Sequence, residues 1–297
     1  MSGRAGALAP ETVAPIIPMP QDFPVTVSDV EWHRTDSGQP LLARIYRPAG
    51  TRARAAVLDV HGGTWVTGDR TTQRNTSQAI AASGMLVVAI DFRQPPGAPY
   101  PASIADANLG TRWLKLHAAE LGAAPGARFG AYGGSSGGHV VILSAMRPRD
   151  PRYAALPLPG GEALDAALDF VITDAPVTDP QAHLEKAVAE GREATVERHH
   201  LYWPDGDSPI EGNPARILER GEDADLPPLF ISQGHDDISV PVAGTRTFAA
   251  RYAAAGGRVE LLTFPGLGHG FILHEPARAE SIRQAQAIRA FIRSVID

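Results

Sequence analysis

Two serines crowded by glycines form the stretch with the clearest chemical potential, Ala131-Tyr132-Gly133-Gly134-Ser135-Ser136-Gly137-Gly138-His139. It follows an apolar run at Ala127–Tyr132 and leads into His139–Met146, which reads as a helix. A strand, a sharp bend carrying serine and then a helix is the arrangement that exposes a seryl oxygen for nucleophilic attack. Glycines suit that bend, because side chains there would clash with strand and helix. The helix N-terminus behind the serine favours developing negative charge. The G-x-S-x-G pattern fits twice: Gly133-x-Ser135-x-Gly137 makes Ser135 the nucleophile, and Gly134-x-Ser136-x-Gly138 makes it Ser136. With 30 glycines in 297 residues, the pattern by itself carries little weight, and a plain Gly/Ser turn remains open.

A serine hydroxyl needs a base to take its proton, usually a histidine oriented by a carboxylate. In open α/β sheets such groups gather at the carboxyl ends of strands. Two further loops meet that condition. Leu229–Gln233 reads as a strand and runs into Gly234-His235-Asp236-Asp237-Ile238-Ser239-Val240-Pro241. Arg258–Phe264 reads as another and runs into Pro265-Gly266-Leu267-Gly268-His269-Gly270-Phe271. The chain order is then Ser, Asp, His. Asp236 and Asp237 compete for the acid role, since adjacent side chains in extended backbone point opposite ways.

The elements needed to position these loops are legible along the chain. Residues 1–24 are Pro-rich and read as an irregular arm. Val25–Trp32 and Leu41–Pro48 alternate as an antiparallel hairpin. Ala55–Val60 and Met85–Ile90 are short apolar runs, the signature of buried strands. The first ends in His61-Gly62-Gly63-Thr64-Trp65, the second in Asp91-Phe92-Arg93. Helices are expected at 71–83, 102–121, 241–255 and 276–295. Leu168–Thr173 reads as a strand. The stretch 174–225 is polar, with helix-like pieces such as 180–191, and interrupts the strand–helix alternation as an insertion over the sheet. Alternating short strands and helices predict a mostly parallel sheet covered on both faces.

Composition sets further bounds. The 43% hydrophobic and 20% charged content is that of a globular protein. A net charge of −6 gives no electrostatic reason to bind nucleic acid or an anionic membrane. With no cysteine, thiol nucleophiles, disulfides and thiolate metal sites are excluded. Prolines interrupt residues 1–20, so no secretion signal is expected, and no stretch is apolar and long enough for a bilayer span. A cytoplasmic location is the resulting expectation.

The chain resembles an α/β-hydrolase of the hormone-sensitive-lipase-like, acetyl-esterase-like carboxylesterase group from about residue 40 onward. The family's H-G-G-G-type loop resembles His61–Trp65, its G-D-S-A-G-G elbow Gly133–Gly138, its D-Y-R sequence Asp91–Arg93, its acid loop Asp237–Pro241, and its G-H-G-F segment Gly268–Phe271. The resemblance implies a single α/β-hydrolase domain over 1–297, with an eight-stranded, mostly parallel sheet and a small cap inserted at 174–225. It places the nucleophile at Ser135, the acid at Asp237 and the base at His269. It implies an oxyanion hole made by the N–H groups of Ser136, Gly63 and Thr64, with Gly62 keeping the loop open. Thr64 stands where the family has a third glycine, Gly134 where it has an acidic residue, and Phe92 where it has tyrosine. The activity implied is hydrolysis of small, mostly uncharged esters, without a cofactor or metal; two copies pairing is a further implication. The His61–Trp65 loop also resembles the H-G-G-x-W loop of kynurenine formamidases, so an amidase is the alternative, and a non-catalytic binding protein of the same fold is a third reading.

Other polar and aromatic residues divide between site and scaffold. His61 reads as a brace for its loop, His139 as packing, and His235 as solvent-facing. His199 and His200 are adjacent and share no face, so they do not form a metal pair. Trp65 reads equally as a pocket wall or a core anchor. Tyr202 and Trp203 lie in the insertion, either over the pocket or packing the insertion onto the sheet. The charges of 185–198 read as a solvated helical face.

Overall fold

The computed structural model describes residues 10–20, 22–204 and 208–297. Nine strands form one sheet: β1 (Glu11–Val13), β2 (Val25–Arg34), β3 (Pro40–Pro48), β4 (Ala53–Val60), β5 (Leu86–Ile90), β6 (Ala123–Gly134), β7 (Phe170–Asp174), β8 (Leu229–Gly234) and β9 (Val259–Phe264), in the order β1-β2-β3-β5-β4-β6-β7-β8-β9. The first three strands and the β3–β5 junction pair antiparallel; every pair from β5 to β9 is parallel. Among the described residues the sheet thus has one strand more than the eight expected. The difference is β1, three residues inside the arm expected to be irregular, which pair Glu11–Val13 with Val25–Val27. Too short to carry an alternating pattern, β1 is defined by its partner rather than by its own sequence.

The parallel strands read as apolar runs because both of their faces are covered. All five residues of β5, all five of β7 and all six of β8 are buried. On one face lie α2 (Ala102–Leu121) and α3 (Ser136–Met146); on the other lie α1 (Arg74–Ala82) and α11 (Ala279–Ile296). The short α4 (Pro151–Ala154) packs beside α2. Helix α2 ends at Gly122, whose φ of 107° suits a residue without Cβ.

Between β7 and β8 the alternation breaks into α5 (Pro180–Ala189), α6 (Glu193–Tyr202), α7 (Ser208–Glu211) and α8 (Pro214–Glu219). Two of these start on the same local signal, a capping side chain followed by proline. Asp179 accepts from the Ala182 N–H and Asn213 from the Arg216 N–H, with Pro180 and Pro214 at the first helical position. The remaining helices are α9 (Val242–Ala254) and α10 (Phe271–His274). Among the described residues no helix is long and apolar enough to cross a membrane.

Candidate active site

The loops singled out by sequence meet at the carboxyl ends of β4, β6, β8 and β9. Ser135 sits between β6 and α3 at φ 53°, ψ −122°, a conformation that costs a non-glycine residue about 1–3 kcal/mol. The bend is held from β7: the Ser135 N–H donates to the Asp174 carbonyl at 2.8 Å, and the Val177 N–H donates to the Ser135 carbonyl at 3.1 Å. Gly137 has no room for a side chain, because a Cβ there would lie 2.1 Å from the Val60 carbonyl oxygen.

The two serines have different surroundings. Ser135 is partly exposed and lines a cavity of about 240 Å³ together with Gly62, Gly63, Thr64 and Trp65. Ser136 is buried, and its Oγ accepts the Trp65 N–H at 3.0 Å. As the first residue of α3, Ser136 has a backbone N–H without an intrahelical acceptor. The facing loop carries Gly63, Thr64 and Trp65 at φ 126°, 52° and 61°. His61 braces that loop. Its Nδ1–H donates to the Gly62 carbonyl at 2.8 Å, and its ring stacks on Phe92 at 4.3 Å between centroids.

His269 lines the same cavity as Ser135 and donates Nδ1–H to Asp237 Oδ2 at 2.7 Å. The Asp237 side chain is buried; its Oδ1 accepts the N–H groups of Ser239 and Val240 at 2.9 and 2.8 Å. Asp236 is exposed. Burial by itself would push the His269 pKa down. The Asp237 hydrogen bond and charge outweigh it, Asp174 adds to them, and the imidazole ends above its ordinary value. Nε2 makes no hydrogen bond among the described residues. His235 is half-buried, bonded through Nε2 to Thr263 at 2.9 Å, and takes no part in the pair.

Several residues beneath and around the site carry no sequence motif. Gln73 accepts the Gly134 N–H at 2.8 Å through Oε1 and donates through Nε2 to the buried Asp59. A Cβ on Gly134 would lie 2.4 Å from Gln73 Oε1, so Gln73 occupies the space that a side chain at 134 would need. Burial lifts the Asp59 pKa to about 7, against the hydrogen bonds of Ser77 and Gln73. Asp174 also lines the cavity, its Oδ1 held by Ser232 and Gln284 at 3.1 and 2.9 Å. Burial raises its pKa to about 6, opposed by the His269 charge.

The insertion supplies the wall facing the nucleophile through His183, Arg192 and Thr195. Trp203, expected at the pocket from its position, is not among the lining residues. Its indole is buried and packs against Trp65, Tyr202 and His199 at 4.7, 4.5 and 5.3 Å. Tyr202 stacks on Trp65 at 5.1 Å. Trp65 is thus both a pocket wall and the centre of a core cluster. His139 belongs to that cluster: it accepts the Trp65 Nε1–H at Nδ1 and donates Nε2–H to the Gly212 carbonyl. His199 pairs with His183 at 2.7 Å rather than with its neighbour His200. Burial holds His139, His183 and His199 neutral, with pKa values pushed down to about 4, 4 and 3.

Residues 57–273 match the family model described as alpha/beta hydrolase fold. The chain belongs to that family. Among relatives, the probable carboxylic ester hydrolase LipM of Mycobacterium tuberculosis is 29% identical over 250 residues, 82% of this chain and 55% of its own length. Esterase LipC of the same organism is 30% identical over 288 residues, 92% of this chain and 63% of its own. The chain therefore spans roughly half to three-fifths of these relatives. Of solved structures, Thermogutta terrifontis esterase Est2 with butyrate bound superimposes with a TM-score of 0.71 at 26% identity, covering 91% of this α/β-hydrolase and 94% of Est2. These likenesses bear out the resemblance to acetyl-esterase-like carboxylesterases and the expected fold.

Proposed function

We propose that this α/β-hydrolase is a serine carboxylesterase that cleaves short-chain esters through an acyl-enzyme on Ser135. The observation that carries the reading is the His269–Asp237 pair at 2.7 Å, lining one cavity with a serine held in a strained bend. Ser135 Oγ attacks the ester carbonyl carbon while His269 Nε2 takes its proton. The tetrahedral oxyanion is held by the N–H groups of Gly63, Thr64 and Ser136, each such donor contributing about 3 kcal/mol. The C–O bond to the alcohol then breaks as His269 returns the proton to the leaving oxygen. Water, deprotonated by His269, attacks the acyl-enzyme and releases the acid and Ser135. Asp237 keeps the imidazole in the tautomer with a free Nε2 and stabilises the imidazolium. The stretch 174–225 serves as a cap over the single hydrolase domain.

The register rests on the seryl environments. Ser136 Oγ is occupied by the Trp65 N–H and buried, whereas Ser135 faces the cavity. Short acyl groups are supported by the modest cavity and by the relative Est2, which has been solved with butyrate and with propionate bound. Ser135→Ala is expected to lower kcat on p-nitrophenyl butyrate by roughly 10⁴-fold or more, while Ser136→Ala, which keeps its N–H, retains measurable turnover. The reverse pattern would overturn the assignment.

A further inference from the structure

The cavity over Ser135 has two unlike ends. The floor holds Asp174 beside the nucleophile; the wall from the insertion holds His183, Arg192 and Thr195. Arg192 lies in the turn between α5 and α6. Its Nε and Nη2 are closed off from solvent and from the cavity alike and have no hydrogen-bond partner among the described residues; the quarter of the side chain that stays exposed is the part that can line the cavity. Glu190 Oε2 stands 3.1 Å from Nε but out of line for a hydrogen bond, and the same exposed carboxylate pairs with Lys186. One exposed carboxylate therefore answers two cations. The imidazoles nearest Arg192, His183 and His199, carry no compensating charge. A cation short of water and acceptors on two of its nitrogens attracts an anion more strongly than a surface one, and the exposed part of this guanidinium is where a carboxylate in the cavity would meet it.

We propose that the site accepts esters carrying a free carboxylate, and that Arg192 is the residue that selects them. The inference rests on the esterase reading of Ser135. It departs from the expectation of mostly uncharged esters: a neutral ester group meets the floor and an anion meets the insertion. The carboxylate belongs at that end because Asp174 opposes negative charge beside Ser135. The neutral His183 imidazole and the Thr195 hydroxyl add hydrogen-bonding groups to the same wall. A cavity of about 240 Å³ suits a short dicarboxylic monoester rather than a long acyl tail.

The test compares kcat/KM for esters that differ only in charge. Monoethyl glutarate is set against ethyl 4-carbamoylbutanoate, which replaces the carboxylate by an amide on the acyl side. Carboxymethyl butyrate is set against carbamoylmethyl butyrate on the alcohol side. The acid-to-amide ratio cancels general damage to the cap. In Arg192→Gln the ratio for at least one pair is expected to fall about tenfold or more, with partial recovery in Arg192→Lys. In the wild type the same ratio should fall several-fold between about 20 mM and about 500 mM NaCl. Ratios in both pairs that are unchanged by Arg192→Gln overturn the proposal. Should that variant not fold, ratios unmoved by salt in the wild type overturn it equally. Hydrolysis of both members of a pair persisting in Ser135→Ala would instead remove the nucleophile assignment.

Discussion

The strand-end floor and the insertion wall confront each other across one cavity, and they are built differently. The floor is charged and hydrogen-bonded: Asp237 on His269, Asp174 on Ser232 and Gln284, and Gln73 bridging Asp59 to the elbow. The wall is a cluster of neutral histidines and aromatic rings with one guanidinium at its edge. Parallel strands fix the ends of their loops to a common line, so a few hydrogen bonds suffice to set reacting groups. The wall has no such frame and is positioned by packing. On the proposed mechanism chemistry belongs to the floor, and on the proposed selection by Arg192 admission of substrate belongs to the wall.

That division can be broken at three points, in falling order of effect. Asp237→Asn should lower kcat by about 10⁴-fold, because the amide cannot hold the imidazole in its working tautomer. The pH profile should move with it. His269 must be neutral to act as base, so activity rises as pH passes upward through its pKa, above the ordinary imidazole value in the wild type. Without Asp237, burial is the largest remaining influence, and the acid limb of kcat/KM should shift to lower pH. A limb that stays in place would separate the acid from the base.

Gln73→Leu tests whether the elbow depends on its support from below. It leaves the Gly134 N–H and one Asp59 oxygen without partners, at a cost of about 1–3 kcal/mol in stability. A fall in Tm with kcat reduced about tenfold is expected; full activity would make Gln73 a spectator of the elbow. His199→Phe probes the wall and should have the smallest effect on turnover. The folded state holds this imidazole neutral, with its pKa near 3. Its contribution is complete above about pH 6.5 and is lost as pH falls from there towards about 3. The variant should lose less Tm between about pH 6.5 and pH 4 than the wild type does. An equal loss would assign the acid sensitivity elsewhere.

How far the sequence reached follows the same division. The hairpin β2–β3, the buried parallel strands and the interrupting insertion were readable because periodicity and apolar runs are local signals. An aspartate of the loop after β8 could be placed against His269 because both loops follow strands, but the choice between Asp236 and Asp237 came from the family resemblance; the structure pairs Asp237. Gln73 and Asp59 escaped notice: one lies in an ordinary helical approach and the other inside an apolar run, and only the folded sheet brings them under Gly134. Trp203 was expected at the pocket because the insertion was, but its ring turned inward onto Trp65. Arg192 looked like one charge on a solvated face. Nothing in residues 185–198 signals that one of those cations sits at the cavity instead.

The most direct test of the central claim is the site of covalent modification. Est2 has been solved phosphorylated by paraoxon, and the same reagent can be applied here. After incubation with paraoxon, tandem mass spectrometry of the peptide containing the elbow should place one diethylphosphoryl group on Ser135, with loss of p-nitrophenyl butyrate hydrolysis in step with labelling. A label on Ser136, or complete inactivation with Ser135 unmodified, would contradict the account.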